Sequence, residues 1–165
     1  MNRNPEIYVA DLAAYNNGDL IGRWIDATLD PEDMLAEIQD MLEQGEEWAI
    51  HDTDDLGVEI REHTDLNTVS MLGNLVFDLG DPFVALYNYD PWLADDYDNW
   101  KQLVEDGYLG RYDSMREYAE QYVDELGLFD NDILSTYFNY DAFARDLEHD
   151  YVVTDANPGV HIFLP

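Results

Sequence analysis

Aspartate and glutamate are the residues of this sequence whose number and spacing could do chemistry. The chain has 38 of them among 165 residues, against 7 lysines and arginines, and its formal net charge is −31. The segment SMREYAEQYVDELGLF (114–129) has one basic residue, Arg116, and four acids: Glu117, Glu120, Asp124 and Glu125. Such carboxylates could bind cations, act as a catalytic pair, or present a row of negative charges to a basic partner.

Catalytic and cofactor-binding patterns are missing from the sequence. No two glycines have the G-x-G spacing of a dinucleotide fingerprint, no glycine precedes Lys101 as in a P-loop, and there is no G-x-S-x-G elbow. A carboxylate pair carries no information here, because almost any two acids could be neighbours. These absences set aside three classes of enzyme: dinucleotide-dependent enzymes, P-loop nucleotide hydrolases and α/β-hydrolases.

A specific metal site is not expected either. The chain has no cysteine, and its four histidines form no H-x-x-x-H pair. The segment 52–63 begins like a calcium-binding loop, but Leu56 fills its fifth position and His63 its twelfth, where oxygen ligands belong. The segment 130–141 fails in the same way, with Leu134 at its fifth position.

The charge also limits the partners and the location. Phosphate contacts need cations, so we expect no direct binding to nucleic acid or to an anionic membrane. Apolar runs are short and no signal-peptide pattern opens the chain, which predicts a cytoplasmic protein without a membrane span. Hydrophobic residues make up 46% of the chain, so its acidity does not indicate disorder.

The spacing of the acids fits a row of phosphates. Acids three or four positions apart on a helix lie about 5–6 Å apart at Cβ. Duplex DNA carries one charge per ~1.7 Å of its axis, so the charges of this chain match about 53 Å of duplex. A compact chain of this length has a radius of gyration of only about 15 Å. An elongated body would spread the charges with less self-repulsion.

Acids on predicted helices and on one acidic–aromatic segment are the candidate positions of this row. The helix predicted to start at Pro31 contributes Glu37, Asp40 and Glu43. The segment 89–107 contributes Asp95, Asp96, Asp98, Glu105 and Asp106. The segment 114–129 contributes Glu117, Glu120, Asp124 and Glu125. Within the stretch YDPWLADDYDNW (89–100), Trp92 and Trp100 are expected to be buried and the aspartates to face solvent.

Composition alone leaves other functions open. An acid coat with little lysine is also typical of proteins adapted to high salt, of acidic chaperones and of ion buffers. A salt-adapted protein should unfold at low salt. A DNA mimic should fold at low salt and bind its partner less tightly as salt rises. A calcium-binding protein should gain thermal stability at micromolar calcium.

The elements that must position the acids begin with a mixed region. Residues 6–15 and 20–26 predict a β-hairpin around the turn signal NNGD. A helix is predicted from Pro31, with Gly45 as its stop, and a strand at 47–54 returns to the hairpin. The middle of the chain then predicts helices. They cover 65–80, a second helix restarted by Asp81-Pro82, and one or two short helices that end at Gly107.

A second mixed region follows. A short strand at 108–113 precedes a capping box formed by Ser114 and Glu117, and Gly127 ends the helix that this box opens. Its predicted apolar face comprises Met115, Tyr118, Ala119, Tyr122, Val123 and Leu126. A helix near 141–148 and a hairpin around the NPG turn complete the chain. The fold class is therefore α+β with short antiparallel sheets, organised as three small domains: 1–62 (α+β), 63–107 (helical) and 108–165 (α+β).

The chain resembles the ArdA family of antirestriction proteins. Four stretches carry the resemblance: EIYVADLAAYNNGDLIGRWIDAT, EEWAIHDTD, YDSMREYAEQYVDELGLF and YFNYDAFARDLEHDYVVTDANPGVHIF. The resemblance implies a cytoplasmic inhibitor of type I restriction–modification enzymes, of a kind carried by conjugative plasmids, transposons and phages. It implies an elongated homodimer that imitates bent B-form DNA and occupies the DNA-binding site of the methyltransferase core without a cofactor. It also places the family's antirestriction motif on 114–129 and the dimer contact in the C-terminal domain.

Overall fold

Two three-stranded antiparallel sheets and eight helices form the part of the chain that the computed structural model describes, residues 3–42, 47–129 and 132–165. The α+β class and the short antiparallel sheets are thus as predicted. Internal contacts divide the chain into two units, 1–101 and 102–165. The division into three domains stays a prediction.

The first unit opens with a sheet whose strand order is β2-β1-β3. Its elements are β1 (Glu6–Asp11), α1 (Leu12–Asn16), β2 (Gly22–Asp26), α2 (Pro31–Met41) and β3 (Trp48–Asp54). The predicted pairing of β1 with β2 is confirmed, and β3 pairs antiparallel with β1 from the other side. The connection is not a simple NNGD turn, because the one-turn helix α1 lies between the two strands.

Asp11 explains how α1 begins. Its carboxylate Oδ1 accepts a hydrogen bond from the backbone N–H of Ala14 at 3.0 Å, which caps the helix. The side chain is fully buried between the end of β1 and the start of α1. An acid inside so acidic a chain thus has a local structural purpose.

Helix α2 covers this sheet with one side. Met34, Ile38 and Met41 are buried in a core with strand residues such as Ile7 and Ile25. Pro31 occupies the first turn as predicted, and Asp30 stands at the N-cap without a side-chain hydrogen bond. The helix ends at Met41, and the predicted stop at Gly45 lies outside the described residues.

Three helices complete the middle of the chain: α3 (Leu66–Leu79), α4 (Asp81–Tyr89) and α5 (Tyr97–Gly107). Asp65 caps α3 through the N–H of Thr68 at 3.0 Å, and its hydrogen bonds with Thr68 lower its pKa. Gly73 lets α3 approach the chain just after β2, because a Cβ at this position would overlap the carbonyl of Ala27. The helical character predicted for this region is confirmed.

The two tryptophans of segment 89–100 have opposite environments. Trp100 is 1% exposed, and its ring centroid lies 5.5 Å from that of Phe83 and 5.4 Å from that of Tyr87. Trp92 is 90% exposed, so its predicted burial is wrong. The reason is that Asp90 ends α4 and Trp92 falls in the loop before α5, away from the helical face that carries Trp100.

The second unit repeats the plan of a small sheet covered by helices. Its sheet has the order β4-β6-β5. Its elements are β4 (Tyr108–Tyr112), α6 (Met115–Glu125), α7 (Asp132–Tyr137), α8 (Tyr140–Glu148), β5 (Val152–Asp155) and β6 (Val160–Phe163). The predicted hairpin around the NPG turn is confirmed as the β5–β6 pair.

The core of this unit joins α6 and α8 to the sheet. Tyr118, Ala119, Ala144, Leu147 and Ile162 form it. The predicted apolar face of α6 is correct except at its end, where Leu126 is 54% exposed. Leu126 is the C-cap, just after the last residue of the helix, and Gly127 with its positive φ of 60° turns the chain there, so no further turn of α6 covers this side chain. Helix α7 was not predicted.

Candidate partner-binding surface

The candidate acids of α2 differ in exposure. Asp40 is exposed, and its carboxylate Oδ2 lies 3.3 Å from both terminal nitrogens of Arg23 on β2. Glu37 is half-buried. Glu43 lies outside the described residues. The predicted outward row on this helix therefore consists, within the described part, of one exposed acid and one half-buried acid.

The candidate acids around α5 are exposed. The Asp96 carboxylate accepts hydrogen bonds from the backbone N–H of Asn99 at 2.8 Å and from the Asn99 side chain at 2.9 Å. Asp96 thus holds the first turn of α5, in the manner of an N-cap. The other four exposed acids of this region are Asp95, Asp98, Glu105 and Asp106.

The start of α6 uses Glu117 structurally. The Ser114 Oγ accepts the N–H of Glu117 at 3.2 Å, as the predicted capping box requires. The Glu117 carboxylate reaches back to the N–H of Asp113 at 2.7 Å, one residue before the Ser114 N–H that such a box normally uses. The hydrogen bond from the Glu117 N–H to Ser114 is therefore confirmed. The return hydrogen bond of the Glu117 carboxylate is shifted by one residue, to Asp113.

Arg116 connects α6 to α8 through carboxylates. Its Nε donates to Glu120 at 2.8 Å, and one terminal nitrogen donates to both oxygens of Asp141 at 2.9 Å. These hydrogen bonds raise the pKa of the Arg116 guanidinium. The Glu125 carboxylate also has a partner, the side-chain amide of Gln121 at 2.7 Å.

The C-terminal ends of α5 and α6 carry acids and no basic residue. Glu105 and Asp106 lie in the last turn of α5, and Asp124 and Glu125 in the last turn of α6. The partial negative charge of a helix C-terminus disfavours carboxylates there. Burial raises the pKa of Tyr112, and the charges of Glu125 in this last turn and of Glu117 in the first turn of α6 raise it further.

A family model described as antirestriction protein (ArdA) matches residues 7–161, nearly the whole chain. The chain belongs to the ArdA family. The resemblance noted from the four sequence stretches is thereby confirmed. A search of curated proteins finds no match. The family is one of antirestriction proteins, not of known enzymes, and it acts against restriction–modification systems.

Nine of the exposed candidate acids of this ArdA protein fall into two groups, and Glu105, which also has an interaction within the chain, is left out of both. Within the described residues, no hydrogen bond or ion pair from another side chain or backbone group reaches four exposed candidate carboxylates. These four, the unpaired acids, are Asp95, Asp98, Asp106 and Asp124. The paired acids are those whose carboxylates have an internal partner: Asp40, Asp96, Glu117, Glu120 and Glu125.

The residues that pair with the acids are only partly predictable from the sequence. The contact of Arg116 with Glu120 was readable from their four-residue spacing on a helix. The contacts of Arg23 with Asp40 and of Arg116 with Asp141 were not, because they join residues 17 and 25 positions apart. Only the packing of α2 beside β2 and of α6 beside α8 brings these groups together.

Two further observations bear on other functions. In the ranges 3–42, 47–129 and 132–165, no three or more histidine, aspartate or glutamate side chains gather into a possible metal site. Asp52 and Asp54, which begin the calcium-loop-like segment, lie in strand β3. None of the helices in these ranges has the length and apolar character to cross a bilayer.

Proposed function

We propose that this ArdA-family protein inhibits type I restriction–modification enzymes by occupying the DNA-binding groove of their methyltransferase core. Its exposed carboxylates take the places of DNA phosphates, and lysines and arginines of the groove bind them. Family membership supports the antirestriction activity, and the placement of the acids supports the mimicry. The inhibitor needs no cofactor and acts in the cytoplasm, where its target cleaves DNA.

The main support for the mimicry is that acids occupy helix C-termini, where they do not stabilise the fold. Carboxylates at a helix C-terminus are unfavourable by about 0.3–1 kcal/mol each at low ionic strength. Asp106 and Asp124 occupy such positions without an internal partner in the described chain. A coat that served only the fold would place acids in first turns and bases in last turns. Binding to a basic partner would offset the unfavourable interaction of these carboxylates with the helix ends.

Electrostatics also sets how the proposed complex behaves. A large negative field steers the protein toward a basic groove and raises the association rate at low salt. Binding displaces the anions that the groove holds, so affinity falls as salt rises. The groove normally holds the DNA phosphates, and the two ligands are therefore competitive.

We propose further that the active form is an elongated homodimer of three-domain chains, with the dimer contact in the C-terminal domain. Exposed apolar side chains near the end of α6 and on α7 support this contact. They are Leu126, Leu128, Ile133, Leu134 and Tyr137. Several large apolar side chains left exposed within twelve residues of so charged a chain are typical of an interface.

The test is a displacement titration. A purified type I methyltransferase core holds a fluorescent duplex, and the protein is added at low and moderate salt while anisotropy is recorded. Near-stoichiometric displacement at low salt that weakens with salt is expected. Duplex that stays bound at large excess and low salt would refute the mimicry for that enzyme.

A charge variant sharpens this test. Changing the four unpaired acids to asparagine keeps their shape and removes four negative charges. We expect a lower affinity and a shallower dependence of log Kd on log salt. A folding measurement on the unaltered protein at low salt is the second readout, since a salt-adapted protein without mimicry would lose its circular dichroism there.

A further inference from the structure

Trp92 is the most exposed of the large apolar side chains in the described part of the chain. Its side chain is 90% exposed, and its indole makes no ring or cation contact with any residue that the structure describes. A tryptophan side chain buries about 150–250 Å² of surface when it packs against other groups, and this burial is strongly stabilising. An exposed tryptophan does not contribute this stabilisation. Trp100, only eight residues later, makes that gain within the core.

The loop holds Trp92 in a defined place. The Asp90 carboxylate accepts the backbone N–H of Trp92 at 2.9 Å, and the Asp90 carbonyl accepts the N–H of Leu93 at 3.4 Å. Pro91 restricts the backbone between them. Asp96 then fixes the start of α5 through Asn99. The tryptophan is therefore presented on an ordered turn, and a partner that covers it pays little conformational entropy.

The residues that follow Trp92 in the chain indicate the chemistry of that partner. The exposed acids Asp95, Asp96 and Asp98 follow it within six residues, and the neighbouring Leu93 is exposed as well. An apolar partner would leave these carboxylates unpaired, and an acidic one would be repelled. A guanidinium group satisfies both features, because its plane stacks on an indole while its N–H groups bind carboxylates. The ammonium group of lysine stacks less well.

We propose that Trp92 is an aromatic anchor that stacks on an arginine of the basic groove which the carboxylates occupy. This inference rests on the proposed function and adds to it a contact that DNA phosphates do not make. Tryptophan and arginine are the residues most often found at the energetic centres of protein interfaces. Charge then brings the groove and the inhibitor together, and Trp92 holds them.

The test compares Trp92→Ala with Leu20→Ala in the displacement titration. Leu20 is 84% exposed in the same unit, so it controls for the loss of an exposed apolar side chain. We expect Trp92→Ala to weaken inhibition about tenfold, Trp92→Phe to weaken it less, and Leu20→Ala to leave it unchanged. The dependence of log Kd on log salt should stay the same, because no charge is removed.

The outcomes separate this inference from the proposed function. If the unaltered protein fails to displace DNA, the proposed function fails. If it displaces DNA and Trp92→Ala does so equally well, the anchor is refuted while the mimicry stands. A change in the sedimentation coefficient of Trp92→Ala without enzyme would assign the side chain to self-association and overturn the anchor.

A second measurement reports on the arginine directly. The protein is labelled with 5-fluorotryptophan, and the ¹⁹F signal of Trp92 is identified as the one missing in Trp92→Phe. Octa-arginine and octa-lysine are then titrated at equal salt. A larger shift of the Trp92 signal with octa-arginine is expected. Equal shifts, or none, would overturn the stacking.

Discussion

Helices α5 and α6 look alike in sequence and differ in how their acids are used. Each is 11 residues long, carries acids in its last turn and has no basic residue there. On α6, Glu117, Glu120 and Glu125 each hold an internal hydrogen bond or ion pair. On and just before α5, Asp95, Asp98 and Asp106 have no such partner in the described chain, whereas Asp96 and Glu105 do. On α6, the same lack of a partner within the described residues is found at Asp124.

The difference shows that the number of acids on a helix is not the number of carboxylates available to a partner. Arg116 is one cause, because it pairs with Glu120 on α6 and with Asp141 on the adjacent α8. A backbone N–H binds Glu117, and the Gln121 amide binds Glu125. A carboxylate that binds within its own chain must give up that bond, or share it, before it can bind a lysine or arginine elsewhere. We therefore expect the region of α5 to contribute more to partner binding than α6, although the antirestriction motif of the family was placed on α6 by resemblance.

The largest expected effect tests the premise that α5 is held rigidly. Trp100→Ala should lower the free energy of unfolding by about 3–5 kcal/mol, because it leaves a cavity between Phe83 and Tyr87. Chemical denaturation followed by circular dichroism measures this. Leu103→Ala, on a more exposed part of the same helix, should cost less than about 1 kcal/mol. Equal losses would mean that the indole does not fix α5.

The next effect compares the acids near α5 with those on α6 in binding to the methyltransferase core. Asp95→Asn/Asp98→Asn and Glu117→Gln/Glu120→Gln each remove two charges from one region. We expect the first pair to weaken binding to the methyltransferase core about tenfold at low salt, and the second pair to weaken it about threefold or less. The second pair should lower Tm, since it removes part of a helix cap and an ion pair. Equal effects on binding would show that internal bonds do not withdraw carboxylates from the partner.

A smaller effect is expected from releasing the acids of α6. Arg116→Gln frees Glu120 and Asp141 and removes one positive charge, so binding at low salt should become about twofold tighter. Isothermal titration at two salt concentrations measures it, and the gain should disappear at the higher one. Arg145→Gln removes the same charge elsewhere and controls for net charge. If both variants bind equally well, the gain comes from net charge and not from the released carboxylates.

The smallest effect concerns the end of α6. In the monomer, at protein concentrations too low for dimer formation, Leu126→Asp should change the free energy of unfolding by no more than about 0.5 kcal/mol, because this side chain lies outside the core of the unit. Val123→Ala, at a buried position one turn earlier, should cost clearly more. A cooperative loss of structure in Leu126→Asp would show that Leu126 packs in the core, as the sequence predicts.

Local signals in the sequence predicted most of the fold. Pro31 at the start of α2, Ser114 at the N-cap of α6 and Gly127 after its end act within one helical turn, so their positions sufficed. The sequence predicts burial for both Trp92 and Trp100, because the break at Asp90-Pro91 does not show which of the two indoles packs into the core. The sequence could not separate them without the packing of Phe83 and Tyr87.

The candidate surface was predictable in composition and not in detail. Helical spacing placed Glu120 and Asp124 outward, and both are exposed. Which acids are paired depends on contacts such as Arg23 with Asp40, which arise only when a helix packs on a strand distant in sequence. The availability of each carboxylate is thus a property of the fold.

Asp11 shows how such a protein can change over time. A surface that works by summed charge accepts glutamate for aspartate at most positions, so its outer sequence is free to diverge while its activity persists. The buried Asp11 has less freedom, since its side chain is fully buried and its carboxylate accepts the N–H of Ala14 at 3.0 Å. Among distant relatives, we therefore expect the exposed acids to diverge first in sequence. The buried Asp11, which does not contact the partner, should be the easiest acid to align.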